Sequence, residues 1–343
     1  MSFEKICIIH LNQIGDLVFS LPLLKALRDN FPGASIHSVV KPYLGELLSD
    51  SPYVDVVIRR ENGLKSKVKL LRKIRRAGYD LLITLSHSEE CLLLTALSKA
   101  RIKAGFSHFP WDLCLDIKEK IEGHNSWHNN SKLLKHLNIA VSKNDYVGLI
   151  NIKDSSDYPG LPEKFVIIAP GASSKRFSKT WEHNKFAELI FLLEKNYGLI
   201  PVLVGGRENM DYNSRIISIL QERNVEASLV NFTGKLSLRA LCSVLKAASL
   251  FVGIDSGIMH LASSMDIPVV GLFGPTDPFF VGPQNSRSIV VREEEMKCVP
   301  CYLRDCKHRD CMRKLEVNKV FHACEFLLNH QAHEFRNEMR KPF

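Results

Sequence analysis

Residues 251–277, FVGIDSGIMHLASSMDIPVVGLFGPTD, constrain the architecture more than any other part of the chain. An apolar run over 250–254 ends in Asp255-Ser256-Gly257, and Ile258, Leu261, Ala262 and Met265 come next at helical spacing. Asp266-Ile267-Pro268 turns the chain into a second apolar run, 269–273, which ends in Gly274-Pro275-Thr276-Asp277. Strand, polar turn, helix, strand, polar turn is the repeating unit of a parallel α/β sheet. Ligands of such sheets sit beyond the carboxyl ends of the strands, where both polar turns lie. The first turn offers a carboxylate, a hydroxyl, a glycine that admits close approach and the N–H groups of a helix start, which favour anions. His260 stands in the first helical turn or just past it. The segment reads either as a diphosphate-sugar site or as a capped core helix.

The same alternation runs along the whole chain. Strands are predicted at 5–11, 35–40, 54–58, 79–85 and 104–106, with helices at 17–31 and 89–99. Residues 151–164 are polar, contain Pro159, Gly160 and Pro162, and read as a linker. The pattern restarts with strands at 165–169, 201–204 and 228–231, helices at 184–197, 211–223 and 238–247, and a tail helix at 316–340. A chain of 343 residues exceeds one typical core. The expected fold is α/β: two Rossmann-like domains, 1–158 and 159–343, with parallel sheets facing across a cleft. The last helix is expected to pack back on the first domain.

The net charge of +9 asks for an anionic partner: a nucleic acid, an anionic membrane surface or a phosphorylated substrate. No apolar run reaches the roughly eighteen residues of a membrane span. The first residues do not read as a signal peptide, so the expected location is the cytosol, with contact to a membrane surface. Cys7, Cys91, Cys114, Cys242 and Cys324 are expected as reduced core residues.

Four groups of residues could carry chemistry. Gly15-Asp16 follows the first strand, so Asp16 is either a helix cap or a general base at the carboxyl edge of the sheet. Residues 170–181, PGASSKRFSKTW, place Ser173, Lys175, Arg176 and Lys179 after a strand, as a diphosphate cradle or a solvated basic loop. Glu208 follows Gly205-Gly206, where a carboxylate can accept from ribose hydroxyls or lie on a surface turn. Residues 59–76 hold nine Lys and Arg against one acid, Glu61, with Lys65, Lys69, Arg72 and Arg76 at helical spacing. Few aromatics interleave with them, which argues against nucleic acid. Separately, Cys298-x2-Cys301-x4-Cys306-x4-Cys311 reads as a structural zinc knuckle or as reduced thiols in a compact loop.

Taken in order, residues 15–36 (GDLVFSLPLLKALRDNFPGASI), 170–181, 203–206 (LVGG), 233–238 (TGKLSL) and 255–278 resemble glycosyltransferase family 9, the ADP-heptose:lipopolysaccharide heptosyltransferases. The Cys cluster is also similar to the C-terminal one of many members. The resemblance implies a GT-B fold and an inverting, metal-independent transfer that requires no cofactor. It implies that Asp16 deprotonates the acceptor hydroxyl. Ser173 and Lys179 would hold the diphosphate, Glu208 the ribose and the Leu236 backbone the adenine. Asp255, Ser256, Gly257 and His260 would hold the sugar and its phosphates. Heptose would pass from ADP-heptose to the phosphorylated lipopolysaccharide core at the cytoplasmic face of the inner membrane. Arg59, Arg60, Lys65, Lys69 and Arg72 would meet acceptor phosphates, on charge rather than on a matched motif. Transfer of another activated sugar, or nucleotide-sugar binding without catalysis, are the alternatives. The turn is Asp-Ser-Gly where Asp-Thr-Gly is common, and Phe19 stands where many members have His.

Overall fold

A computed structural model describes residues 2–86, 88–124, 126–141, 146–152, 158, 160–171, 176–223 and 228–330. The chain divides into two compact units, Met1–Lys153 and Asp154–Phe343.

The first unit contains β1 (Lys5–His10), α1 (Ile14–Asn30), β2 (Ser35–Val40), β3 (Val56–Arg59), α2 (Leu64–Ala77), β4 (Leu81–Thr84), α3 (Glu89–Ala96), β5 (Ile102–Phe106), β6 (Ile117–Glu119) and α4 (Trp127–Lys135). Its six strands are parallel in the order β3-β2-β1-β4-β5-β6. The second unit contains β7 (Phe165–Ala169), α5 (His183–Tyr197), β8 (Ile200–Leu203), α6 (Met210–Glu222), β9 (Val230–Asn231), α7 (Leu238–Ala247), β10 (Leu250–Ile254), α8 (Gly257–Ser264), β11 (Val269–Phe273), α9 (Pro278–Val281), β12 (Ser288–Arg292), α10 (Asp310–Arg313) and α11 (Val317–Asn329). Its order, β12-β11-β10-β7-β8-β9, is the same winding read from the other edge. Each unit is therefore a doubly wound sheet whose strand order reverses beside its first strand: at β1/β4 and at β7/β10. Helices cover both faces of such a sheet, which is why β7, β10 and β11 are buried along their whole length and read as unbroken apolar runs.

The structure corrects several boundaries. α1 starts at Ile14, three residues before its expected start, so Pro22 falls inside the helix rather than near its beginning. A mid-helix proline removes one backbone donor. Asn130 of α4 donates to Phe19 O in that turn, at 3.0 Å. β6, α4 and β12 were not anticipated, because their short half-buried segments lack a clear period. α11 buries Val317, Val320, Ala323, Cys324 and Leu327 in the core cluster of the second unit. Residues 331–340 of the expected tail helix lie outside the described residues. Cys114 is exposed, at the end of a 3-10 turn, not in the core.

Candidate active site

In the second unit the strand order reverses between β7 and β10, and the chain turns polar at the end of each of these strands. Asp255 ends β10 and is only 5% exposed. Lys179, in a short 3-10 turn after β7, reaches across to it: Nζ lies 2.5 Å from Asp255 Oδ2. Thr276 Oγ1, from the turn after β11, donates to the same oxygen at 2.7 Å. His260 Nε2 stands 3.6 Å from Oδ1. Burial alone would raise the Asp255 pKa. The Lys179 ammonium and the His260 imidazole outweigh it and hold the carboxyl far below its usual range. Ser256 is the N-cap of α8, yet its hydroxyl does not cap the helix. Its Oγ is buried without a hydrogen-bond partner among the described residues. A buried hydroxyl without a partner at a helix start can bond a polar ligand, and helix N–H groups favour an anionic one.

The adjoining turns are tied to each other. Gly234, at φ 70, donates to Gly205 O at 2.9 Å, joining the turns after β9 and β8. Asn213 Nδ2 donates to Thr233 Oγ1 at 2.7 Å. Asn209 is buried and accepts from Gly206 N at 3.1 Å. A side chain at Gly171, just past β7, would collide with that asparagine. Glu208 is exposed and folds back over Gly206, where any Cβ would meet its carboxylate. Leu236 is half-buried, one residue before the α7 cap Ser237.

The cysteine segment buttresses this site. Cys301 N and Tyr302 N both donate to Pro275 O, at 3.0 and 2.8 Å. Ser178 Oγ donates to Leu303 O at 2.5 Å. Arg309 Nη1 donates to Thr180 Oγ1 at 2.8 Å, and its guanidinium lies 4.0 Å above the Phe177 ring centre. The segment thus holds both the Lys179 turn and the Thr276 turn. Cys298 is exposed, Cys301 and Cys306 are half-buried, and Cys311 is buried. Arg309 N donates to Cys306 Sγ at 3.4 Å. Among the described residues, no three His, Cys, Asp or Glu side chains form a group that could hold a metal ion.

In the first unit Asp16 is the third residue of α1, not a residue of the preceding turn. Its Oδ2 accepts from Gln13 N at 3.1 Å, so it closes a capping box and remains partly exposed at the carboxyl edge. Lys41, just past β2, is half-buried. Burial lowers its pKa, Asp16 pulls it back up, and Arg60 lowers it. Arg60, just past β3, donates through Nε to Glu90 Oε1 at 2.7 Å. Below this edge His10 is buried and hydrogen-bonded through Nδ1 to Ser20 Oγ at 2.7 Å. Ser20 gives its own proton to Leu17 O, so the imidazole proton sits on Nδ1. Burial drives the His10 pKa down to about 3.

Most of the candidate residues read from the sequence gather in two places. Lys179, Asp255, Ser256, Gly257 and His260 converge at the β7/β10 reversal, with Glu208 and Leu236 on the neighbouring turns. Asp16 and Arg60 lie at the edge of the first sheet. Arg59, Lys65, Lys69 and Arg72 are exposed. Ser173 lies outside the described residues. Thr276, Asn209, Arg309 and Lys41 were missed. Only the Gly-Pro-Thr-Asp turn at a strand end signalled one of them.

Two parallel six-stranded sheets, each wound 3-2-1-4-5-6, are the architecture of the GT-B class, to which glycosyltransferases belong. The sequence profile of glycosyltransferase family 9 (heptosyltransferase) matches residues 67–311, and the chain belongs to that family. It is 24% identical over 339 residues to lipopolysaccharide heptosyltransferase 3 of Escherichia coli strain K12, covering 93% of this chain and 96% of that one. A glycosyltransferase family 9 structure from Veillonella parvula superposes with a TM-score of 0.79 at 22% identity, covering 96% of this chain and 98% of that one. The Escherichia coli heptosyltransferase WaaC with ADP superposes with a TM-score of 0.72 at 19% identity, covering 94% and 99%.

Proposed function

We propose that this chain transfers heptose from ADP-heptose to the inner core of lipopolysaccharide. The observation that carries the reading is the ion pair of half-buried Lys179 with buried Asp255, next in the chain to the unpartnered Ser256 hydroxyl at the start of α8. Relatives named for lipopolysaccharide heptose transfer and a WaaC structure with ADP support the choice of donor and acceptor. Lys179, His260 and the α8 N–H groups carry the diphosphate, Asp255 and Ser256 the sugar, Glu208 the ribose and the Leu236 backbone the adenine. Ser173 belongs to the same proposed donor set.

Asp16 takes the proton of the acceptor hydroxyl. The acceptor oxygen then bonds to the anomeric carbon with inversion. The bond from that carbon to the diphosphate breaks, and its electron pair leaves with ADP. Lys41 and Arg60 face acceptor phosphates from the same edge as Asp16. An acceptor held in a bilayer places the enzyme at the cytoplasmic face of the inner membrane. No helix among the described residues is long and apolar enough to cross a membrane. Mass spectrometry of truncated-core lipopolysaccharides after incubation with ADP-heptose is the test. A mass gain of one heptose on one acceptor is expected. No gain on any acceptor, or tight binding of a non-adenine sugar nucleotide alone, sinks the assignment.

The proposed transfer uses no metal ion, as the family resemblance implies, so chelator-treated protein is expected to keep its rate. Structural zinc at Cys298, Cys301, Cys306 and Cys311 is a separate proposal that rests on their sequence spacing alone, since the structure gathers no metal-holding group there among the described residues. Metal analysis of the purified chain decides it: one zinc per chain supports the site, and none removes it.

A further inference from the structure

Charge and exposed apolar surface are unevenly divided along this chain. Residues 1–153 hold 22 Lys and Arg against 15 Asp and Glu, a net +7, while residues 154–343 hold 24 against 22, a net +2. α2 concentrates the excess, with seven Lys and Arg and no acid in fourteen residues. Leu70 and Ile74 face the core, so Lys65, Lys69, Arg72 and Arg76 form one stripe on the opposite, exposed side.

That basic stripe is bordered by exposed apolar side chains. On α2 they are Leu64, 77% exposed, and Val68. Leu64 shares a flank with Lys67, whose Nζ lies 3.3 Å from Glu90 on α3, so this flank faces α3. Leu93 and Leu97 extend from Glu90 along one stripe of α3 and its cap, and both are exposed. The 3-10 turn Trp111–Cys114 packs against α3. It carries Leu113, 77% exposed, and Phe109 beside it is 79% exposed. A row of cations next to protruding leucines and a phenylalanine is the chemistry of a surface that rests in lipid headgroups. The cations meet phosphates, and the apolar tips enter the acyl boundary.

We propose that α2, α3 and the 109–114 turn form the membrane-docking face of this protein, and that its partner is an anionic phospholipid surface. This assigns Lys65, Lys69, Arg72 and Arg76 to lipid headgroups, and leaves Lys41 and Arg60, at the sheet edge with Asp16, for the acceptor. A nucleic acid would need aromatics interleaved with the cations, and α2 has none. The observations behind this face do not depend on which sugar is transferred.

Cosedimentation of the full-length protein with vesicles tests it. Binding is expected to phosphatidylcholine vesicles containing phosphatidylglycerol, to fall with salt, and to be weak on phosphatidylcholine alone. Reversing Lys65 and Arg72 to Glu should weaken the anionic binding by about fivefold or more per site. Phe109→Ser with Leu113→Ser should weaken it by about tenfold or more, because two exposed side chains lose their apolar burial. These residues are exposed, so circular dichroism should show an unchanged fold. Equal binding to both vesicle types, wild-type binding by either pair of variants, or tight binding to RNA without binding to vesicles would overturn the proposal. Transfer to a detergent-dispersed truncated acceptor is measured separately, so loss of docking and loss of the transferase reading give different results.

Discussion

The two sheets share one winding and differ sharply at their carboxyl edges. In the second unit the edge is locked: Lys179, Thr276 and His260 surround one buried carboxylate, and the cysteine segment grips the turns that carry two of them. In the first unit the edge is loose. Asp16 is partly exposed, its capping contact is to its own helix start, and its neighbours Lys41 and Arg60 are half-buried cations. The difference fits the chemistry each would do. A nucleotide diphosphate has a fixed shape and charge, so a rigid receptor loses little on binding it. A proton acceptor must meet a hydroxyl on a large, variable glycolipid, and needs access more than rigidity. Function and stability should therefore separate in the first unit and coincide in the second.

The largest expected effect tests the first half of that statement. Asp16→Asn keeps the acceptor oxygen that receives Gln13 N but cannot take a proton. Transfer should fall by about 10²–10⁴-fold. Because the capping contact survives, the unfolding free energy should move by less than about 1 kcal/mol. A comparable loss of stability would mean that the two edges are built alike. Turnover at the wild-type rate would remove Asp16 as the base.

Asp255→Ala probes the locked edge. It leaves half-buried Lys179 beside an apolar methyl, and removing one partner of a fully buried pair costs about 3–5 kcal/mol, so a loss towards the lower end of that range is expected. Chemical denaturation should show that loss, and ADP binding should weaken in the variant that remains folded. The pH dependence has a defined sign. The Asp255 pKa is depressed on folding, so its stabilisation is complete above the unfolded value of 3.8 and is lost only as pH falls below it. A variant as stable as the wild type at pH 7 would show that the pair adds nothing to the fold.

The contrast between the edges was only half legible in the sequence. β7, α7, β10 and β11 could be read to the residue, because strands buried on both faces announce themselves as unbroken apolar runs between Gly, Pro and Asp. The strand-end turns then pointed to Lys179 and Asp255, and the family motifs suggested the roles proposed for them. What could not be read is what depends on side chains meeting across the fold. Arg309 and Thr180 are 129 residues apart along the chain, and their contact depends on how 298–311 folds back. Lys41 carries no motif, and it matters only because β2 ends beside β1. The start of α1 was misplaced because Asn12-Gln13 reads as a turn, whereas Gln13 and Asp16 close a capping box that begins the helix at Ile14.

His10 offers a subtler comparison, since it lies under the loose edge yet belongs to the core. Its pKa falls from 6.5 in the unfolded chain to about 3 when folded. The neutral imidazole is the folded form, so its contribution is complete above pH 6.5. It is lost as pH drops towards 3, by about 1.4 kcal/mol per pH unit through that window. Urea midpoints measured from pH 7 to pH 4 should decline in the wild type. In His10→Leu, where no proton can be gained, the decline should be flatter by about that slope. Parallel curves would mean that the imidazole can be protonated in place, and that the first unit is loose below its edge as well as at it.

The smallest expected effect concerns what makes the second edge rigid. Arg309 sits outside the Lys179–Asp255 centre and touches the Lys179 turn through Thr180 Oγ1, through Thr180 O and over the Phe177 ring. Arg309→Ala should lower stability by about 1–2 kcal/mol, the scale of one charge-assisted hydrogen bond and an exposed cation–π contact. If the turn is held from outside, freeing it lets Lys179 wander. The KM for the nucleotide sugar should then rise several-fold more than kcat falls, because Lys179 is proposed to bind the diphosphate and not the reacting hydroxyl. Lysine keeps the charge but lacks the planar fork, so Arg309→Lys should recover stability better than it recovers KM. A fall in kcat with KM unchanged would place Arg309 in the transfer step and not in the support of the donor site. Equal recovery of both by lysine would reduce its role to charge alone.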